Sequence, residues 1–195
     1  MDLVLIRHPA PAIDTGVCYG QTDVPLADDA AICADALAAR LAALAVPAPH
    51  RLLSSPLVRC SSVAAQLGRR FECAANIDAR LQEIDFGAWE CLRWDDIDRA
   101  SLDEWAANLQ HARAHGGESV AQFAARVREW FDALAVTPAA SCYVLTHAGV
   151  MRVAASCALG VPLERCLQWP LGMASIVWLR RAEPAREWAL VCWNA

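Results

Sequence analysis

Residues 2–8 read DLVLIRH, and residues 141–147 read SCYVLTH. Each is a short apolar run of strand length that stops on a histidine. Unbroken apolar runs of this kind fit strands covered on both faces, as in a parallel sheet. Working outward, Asp28 and Asp29 stand before a helical stretch, AICADALAARLAALAV, with a stripe of Ile32, Leu37, Leu41 and Leu44. HRLLSS (50–55) reads as another strand. Ser55 and Pro56 then read as the cap and first residue of a helix striped by Leu57, Cys60, Ala64, Leu67 and Phe71. A further helix starts near Ser119 and shows Val120, Phe123, Val127, Trp130 and Leu134 on one face. GVMRVAASCALG (149–160) is a helix closed by its glycine. ASIVWL and EWALVCW, joined by RRAEPAR, form a C-terminal antiparallel hairpin.

Strands alternating with helices predict an α/β chain, a three-layer α/β/α sandwich with a mostly parallel central sheet and an antiparallel C-terminal edge. The length of 195 residues predicts one domain spanning 1–195. In such sheets ligands bind beyond the carboxyl ends of the strands, where His8 and His147 both fall. The stretch from Glu83 to Glu104 differs, with eight acidic residues against Arg93 and Arg99, and with Trp89, Trp94 and, next after it, Trp105. It reads equally as an excursion over the site, at about 83–117, or as a solvated helical surface with buried tryptophans.

Composition removes several classes of function. All 17 basic residues are arginine, so no lysine Schiff base or P-loop lysine exists in this chain. A formal net charge of −5 argues against nucleic acid or an anionic membrane as the main partner, while local arginines leave a small anion open. The hydrophobic share of 56% includes 40 alanines, and no run reaches membrane-span length. The start, MDLVLIRHP, lacks a signal-peptide pattern. Nine scattered cysteines without a C-x-x-C pair read as reduced thiols of a cytoplasmic protein. Their spacing offers no metal site.

Chemistry concentrates in a few segments. Arg7-His8 ends a buried strand, where a charged pair needs a polar cleft. SSPLVRC puts Arg59 in the first turn of a helix, where backbone N–H groups already favour an anion. LTHAGVMR puts His147 just before another helix, and LQEIDFGAWE supplies Glu83 and Glu90 beside a glycine turn. Arginines, histidines, helix starts and a carboxyl group together suit phosphoryl transfer without a metal. Glu83, flanked by Leu81-Gln82 and Ile84, is expected to face an enclosed site. Glu90 is expected to stay solvated or cap the next helix. His50, His111 and His115 are expected at the surface, and the tryptophans 169, 178, 188 and 193 in core or edge packing. Arg152 either pairs with an acidic neighbour, the reading preferred here, or assists the pocket.

LIRHPAP, SSPLVRC, LQEIDFGAWE, GGES and LTHAGVMR, in that order over residues 4–152, resemble the motifs of the histidine phosphatase (phosphoglycerate-mutase-like) superfamily. GVCYGQTDVPLADD is most similar to the alpha-ribazole phosphatases within it. The resemblance implies His8 as a nucleophile that becomes phosphohistidine, Arg7, Arg59 and His147 as the phosphoryl grip, and Glu83 as proton donor to the leaving alcohol. It places Gly20 and Gln21 against the phosphate or the adjoining substrate. It implies a phosphomonoester hydrolase without cofactor or metal, acting on a small phosphorylated metabolite such as alpha-ribazole 5'-phosphate of cobalamin biosynthesis. A homodimer is left open. Two positions depart from the pattern. Pro9 stands where the family has glycine, and Asp14 where it has asparagine, so either Thr15 or loop N–H groups replace that contact or the loop takes a different path. A phosphoglycerate mutase and a non-catalytic phosphate-binding protein are the alternatives.

Overall fold

A computed structural model describes residues 1–135, 139–182 and 187–195. Six strands form one sheet: β1 (Asp2–Arg7), β2 (Arg51–Ser54), β3 (Ala75–Ile77), β4 (Ser141–Thr146), β5 (Ile176–Arg181) and β6 (Trp188–Cys192). Their order is β3-β2-β4-β1-β5-β6. The first four are mutually parallel, and β5 and β6 add an antiparallel edge. The chain joining β5 to β6 includes residues 183–186, which lie outside the described residues.

Strand periodicity sorts the apolar residues into two cores. Leu3 and Leu5 of β1 face one side with Cys142 and Val144 of β4 and Val177 and Leu179 of β5. Val4, Ile6, Tyr143, Leu145, Ile176 and Trp178 face the other. The first side is covered by α4 (Val120–Ala135) and α5 (Ala148–Leu159), and the second by α1 (Ala30–Ala43) and α2 (Val58–Arg70). Three layers result, as the alternation of strands and helices predicts.

Local chemistry sets the helix ends. Asp29 caps α1 by accepting from the N–H groups of Ala31 and Ile32. Gly160 closes α5 at φ 64°, a left-handed conformation that glycine adopts without a Cβ penalty. The start of α2 departs from expectation. Its cap position is Leu57, which has no side-chain acceptor, and Asp23 from a distant loop accepts from Val58 N at 2.6 Å instead. Ser55, predicted as that cap, still accepts from Leu57 N at 3.3 Å just ahead of the helix, and its hydroxyl also meets His147.

Two short elements escape the sequence reading: β3, with only three residues, and α6 (Leu163–Leu167). Between β3 and α4 the chain makes three single 3-10 turns and the helix α3 (Arg99–Ala107). This segment shares a small core with the loop after β1, made of Cys18, Trp89 and Ile97, with Phe86, Trp94, Leu102 and Trp105 packed against it. No helix among the described residues is long and apolar enough to cross a membrane.

Candidate active site

Register fixes the first contact. Arg7 of β1 lies opposite Thr146 of β4, so the next residues, His8 and His147, emerge side by side from adjacent parallel strands. Their rings sit 5.1 Å apart. Ser55 leaves β2 at the same level, its N–H bonded to Leu145 O. The site therefore stands at the carboxyl ends of three neighbouring strands.

His8 is 1% exposed. Its Nδ1 lies 2.7 Å from the carbonyl oxygen of Pro9. A carbonyl only accepts, so Nδ1 carries the proton and Nε2 keeps its lone pair. Burial, then the Arg59 and Arg7 charges, hold the imidazole down at about 3 against the opposing Pro9 hydrogen bond, so it is neutral in ordinary buffer. His147 is also held well below its usual range, first by burial and then by Arg59, His8 and Arg7. Its Nε2 shares a 2.8 Å hydrogen bond with Ser55 Oγ, and the Cys60 thiol lies 3.5 Å from the same nitrogen.

Two guanidinium groups flank the histidines. Arg59, 0% exposed, donates to Thr22 O at 2.7 Å and Gly20 O at 2.6 Å, and lies 5.0 Å over the Tyr19 ring. Arg7 donates to Leu171 O at 2.6 Å. The Nε atoms of both are buried without a partner. Among the described residues neither guanidinium forms an ion pair, whereas Arg70, Arg80, Arg99, Arg126 and Arg180 do. Carbonyl dipoles fix these two cations without neutralising them, which prepares a site for an anion.

Glu83 sits between Ile84 N and Gly149 N, each 3.1 Å from one of its carboxyl oxygens. A Cβ on Gly149 would stand 2.2 Å from that carboxyl, so only glycine seats it. Arg126 of α4 steadies the backbone beneath. Its guanidinium bonds to Arg80 O, Gln82 O and Glu83 O and makes a two-pronged pair with Glu118.

Glu90 corrects the sequence reading. It neither stays solvated nor caps a helix: its carboxylate accepts from Gln21 N at 2.8 Å, Thr22 N at 2.6 Å and Phe86 N at 3.0 Å, and from Thr22 Oγ1. Gly20, at φ 25°, leaves the room, since a Cβ there would come within 2.2 Å of Glu90 Oε1. Gln21 itself donates to Glu83 O at 3.1 Å. Gly20, Gln21, Thr22, Arg59 and Glu83 thus form one connected cradle. Next in the chain, exposed Cys91 holds a left-handed φ of 67°, its sulfur 3.7 Å from Thr22 Oγ1. Asp14 and Thr15 are both exposed, so neither stands in the cradle.

Two further expectations fail. His115 is buried rather than at the surface, its ring 4.8 Å from that of Trp89 and its Nδ1 accepting from Gly117 N. Arg152 forms no ion pair among the described residues and donates to Trp169 O instead. His50 and His111 are exposed as expected. Ser55, Thr22, Leu171 O and Arg126 are site residues that sequence reasoning missed. Among the described residues no three His, Cys, Asp or Glu side chains group as a metal site needs.

An α/β sheet with paired histidines and free guanidinium groups at its carboxyl edge defines a class of phosphoryl-handling proteins. The chain belongs to the histidine phosphatase superfamily (branch 1), whose family model matches residues 3–195. It is similar to the structure of a mycobacterial glucosyl-3-phosphoglycerate phosphatase, with 27% identity and a TM-score of 0.84, covering 100% of this chain and 98% of that one. The alpha-ribazole phosphatase from Shigella flexneri shares the fold at a TM-score of 0.87 and 22% identity, covering 100% of this chain and 96% of that one. So does a phosphoserine phosphatase from Entamoeba histolytica solved with phosphoserine, at 0.81 and 17%, with the same coverage. No curated protein sequence matches the chain.

Proposed function

We propose that the chain is a phosphomonoester hydrolase that works through a phosphohistidine on His8. One observation carries this reading: His8 presents a neutral Nε2, fixed by Pro9, beside two cations that form no ion pair among the described residues. Arg7 and Arg59 take the phosphoryl oxygens. A Ser55 hydroxyl donating to Nε2 of His147 leaves the proton of that ring on Nδ1, from which it donates to the same group. His8 Nε2 attacks phosphorus, the bond to the ester oxygen breaks, and the proton of Glu83 goes to the departing alcohol. Water then attacks phosphorus and gives its proton to the Glu83 carboxylate, and the Nε2–P bond breaks. The arginines supply the positive charge, so the reaction is assigned no metal or cofactor.

The substrate is a small phosphorylated metabolite. The segment GVCYGQTDVPLADD supports alpha-ribazole 5'-phosphate, which would place the protein in cobalamin biosynthesis. The similarity to the mycobacterial enzyme makes glucosyl-3-phosphoglycerate the comparison substrate. Nine free cysteines support a reducing, cytoplasmic setting. Rapid quench with labelled 4-nitrophenyl phosphate tests the mechanism. The parent protein should yield an acid-labile, base-stable phosphoenzyme and His8→Ala none, with turnover abolished and the fold retained. Turnover by the parent without such a species would overturn the covalent route.

A further inference from the structure

Beside the cradle lies a cavity of about 430 Å³ that the chemistry above does not use. Glu83 is on its wall, whereas Arg7, His8, Arg59 and His147 are not. The proposed acid thus separates the phosphoryl grip from this space, which puts the cavity on the side of the leaving alcohol. Its walls are otherwise apolar, with Ile84, Phe86, Trp105, Leu109 and Phe123 prominent, and Arg152 is its one cation among the described residues.

Two of the lining residues, Arg152 and Trp105, each keep a buried nitrogen donor, Nε and Nε1, without a partner among the described residues. Arg152 spends one bond on Trp169 O, 3.1 Å away, and forms no close ion pair among the described residues, with the Glu83 carboxyl on the same wall its main opposing charge. Buried donors without partners are uncommon and mark places where an acceptor belongs. An apolar space of ~150 Å³ holds a benzene ring, so this one accommodates a body of two rings or more.

We propose that the cavity selects phosphomonoesters whose alcohol half is apolar, about two rings in size, and carries an electron-rich acceptor that Arg152 takes. This rests on the hydrolase reading and narrows it to a substrate class. Polar sugars lacking such a body would leave the aromatic wall wet. Purely apolar alcohols would leave the guanidinium unanswered.

Three substrates test it: 4-carboxybenzyl phosphate, 4-methylbenzyl phosphate and ethyl phosphate. In the parent protein kcat/KM should fall by at least ~10-fold at each step down that series, the first for a lost charged hydrogen bond and the second for a lost buried ring. Arg152→Met should bring the carboxybenzyl-to-methylbenzyl ratio to about 1. Ala106→Phe, an exposed helix position on the cavity rim, should erase the advantage of both benzyl esters over ethyl phosphate whatever the fate of the first variant. Equal turnover of all three by the parent, or ratios that neither variant moves, would overturn the proposal and leave the hydrolase reading intact. Turnover of 4-nitrophenyl phosphate but of none of these three would likewise overturn the proposal alone, whereas turnover of none of the four would overturn the hydrolase reading itself.

Discussion

At the scale of the residue, a side chain of the cradle is fixed by what its second polar atom does. His8 is usable because its other nitrogen is committed to the adjacent carbonyl, and Glu83 because two backbone N–H groups hold its carboxyl in place. Glu83→Gln should therefore cost at least ~100-fold in kcat with an alkyl phosphate, whose leaving oxygen needs a proton. The loss should be much smaller with 4-nitrophenyl phosphate. Steady-state rates on the two substrates check this, and equal losses would remove Glu83 from the acid role. The same local logic explains Pro9. The hydrogen bond uses the carbonyl of residue 9 and not its side chain, so proline serves in place of glycine.

At the scale of the element, the loop after β1 and the segment before α3 are held as one piece by a single carboxylate. Glu90 accepts four hydrogen bonds, three from the N–H groups of Gln21, Thr22 and Phe86. An amide in its place turns an NH2 group toward donors and leaves at least one N–H without an acceptor. Glu90→Gln should raise KM about 10-fold through loss of the Gly20 and Thr22 carbonyls that aim Arg59, with a smaller change in kcat. Unchanged KM would mean that Arg59 is held without that carboxylate. We further propose that residues 83–117 cover the site as one packed unit, since Phe86, Trp89 and Trp105 belong to the small core around Ile97. Elements of this kind were least legible from sequence. The long buried strands announce themselves by unbroken apolar runs, whereas three-residue β3 and five-residue α6 offer too few positions for any period to show.

At the scale of the whole molecule, an acidic protein encloses a positive, neutral-histidine site, and acid should reveal this. The unfolded His8 takes a proton near pH 6.5, while the folded one resists until about 3. Between those values the unfolded chain binds more protons, so stability should fall steadily as pH drops from about 6.5 toward 3. Buried His147 and His115 push the same way. Melting temperature followed over that range measures it, and His8→Ala should flatten the slope. A parent protein equally stable at pH 4 and pH 7 would contradict a buried neutral His8. Arg7, His8, Arg59 and His147 were readable because strand ends and helix starts place them whatever the loops do. Ser55, Thr22, Glu90 and Arg126 were not, because their roles depend on contacts between segments 37 to 92 residues apart. Cys91 has a practical consequence. Of nine thiols it is the one exposed, and it stands beside Thr22, where those two segments meet. A thiol-directed fluorophore would attach there first, and its emission, quenched by neighbouring tryptophans, would turn the arrival of a substrate into an optical signal.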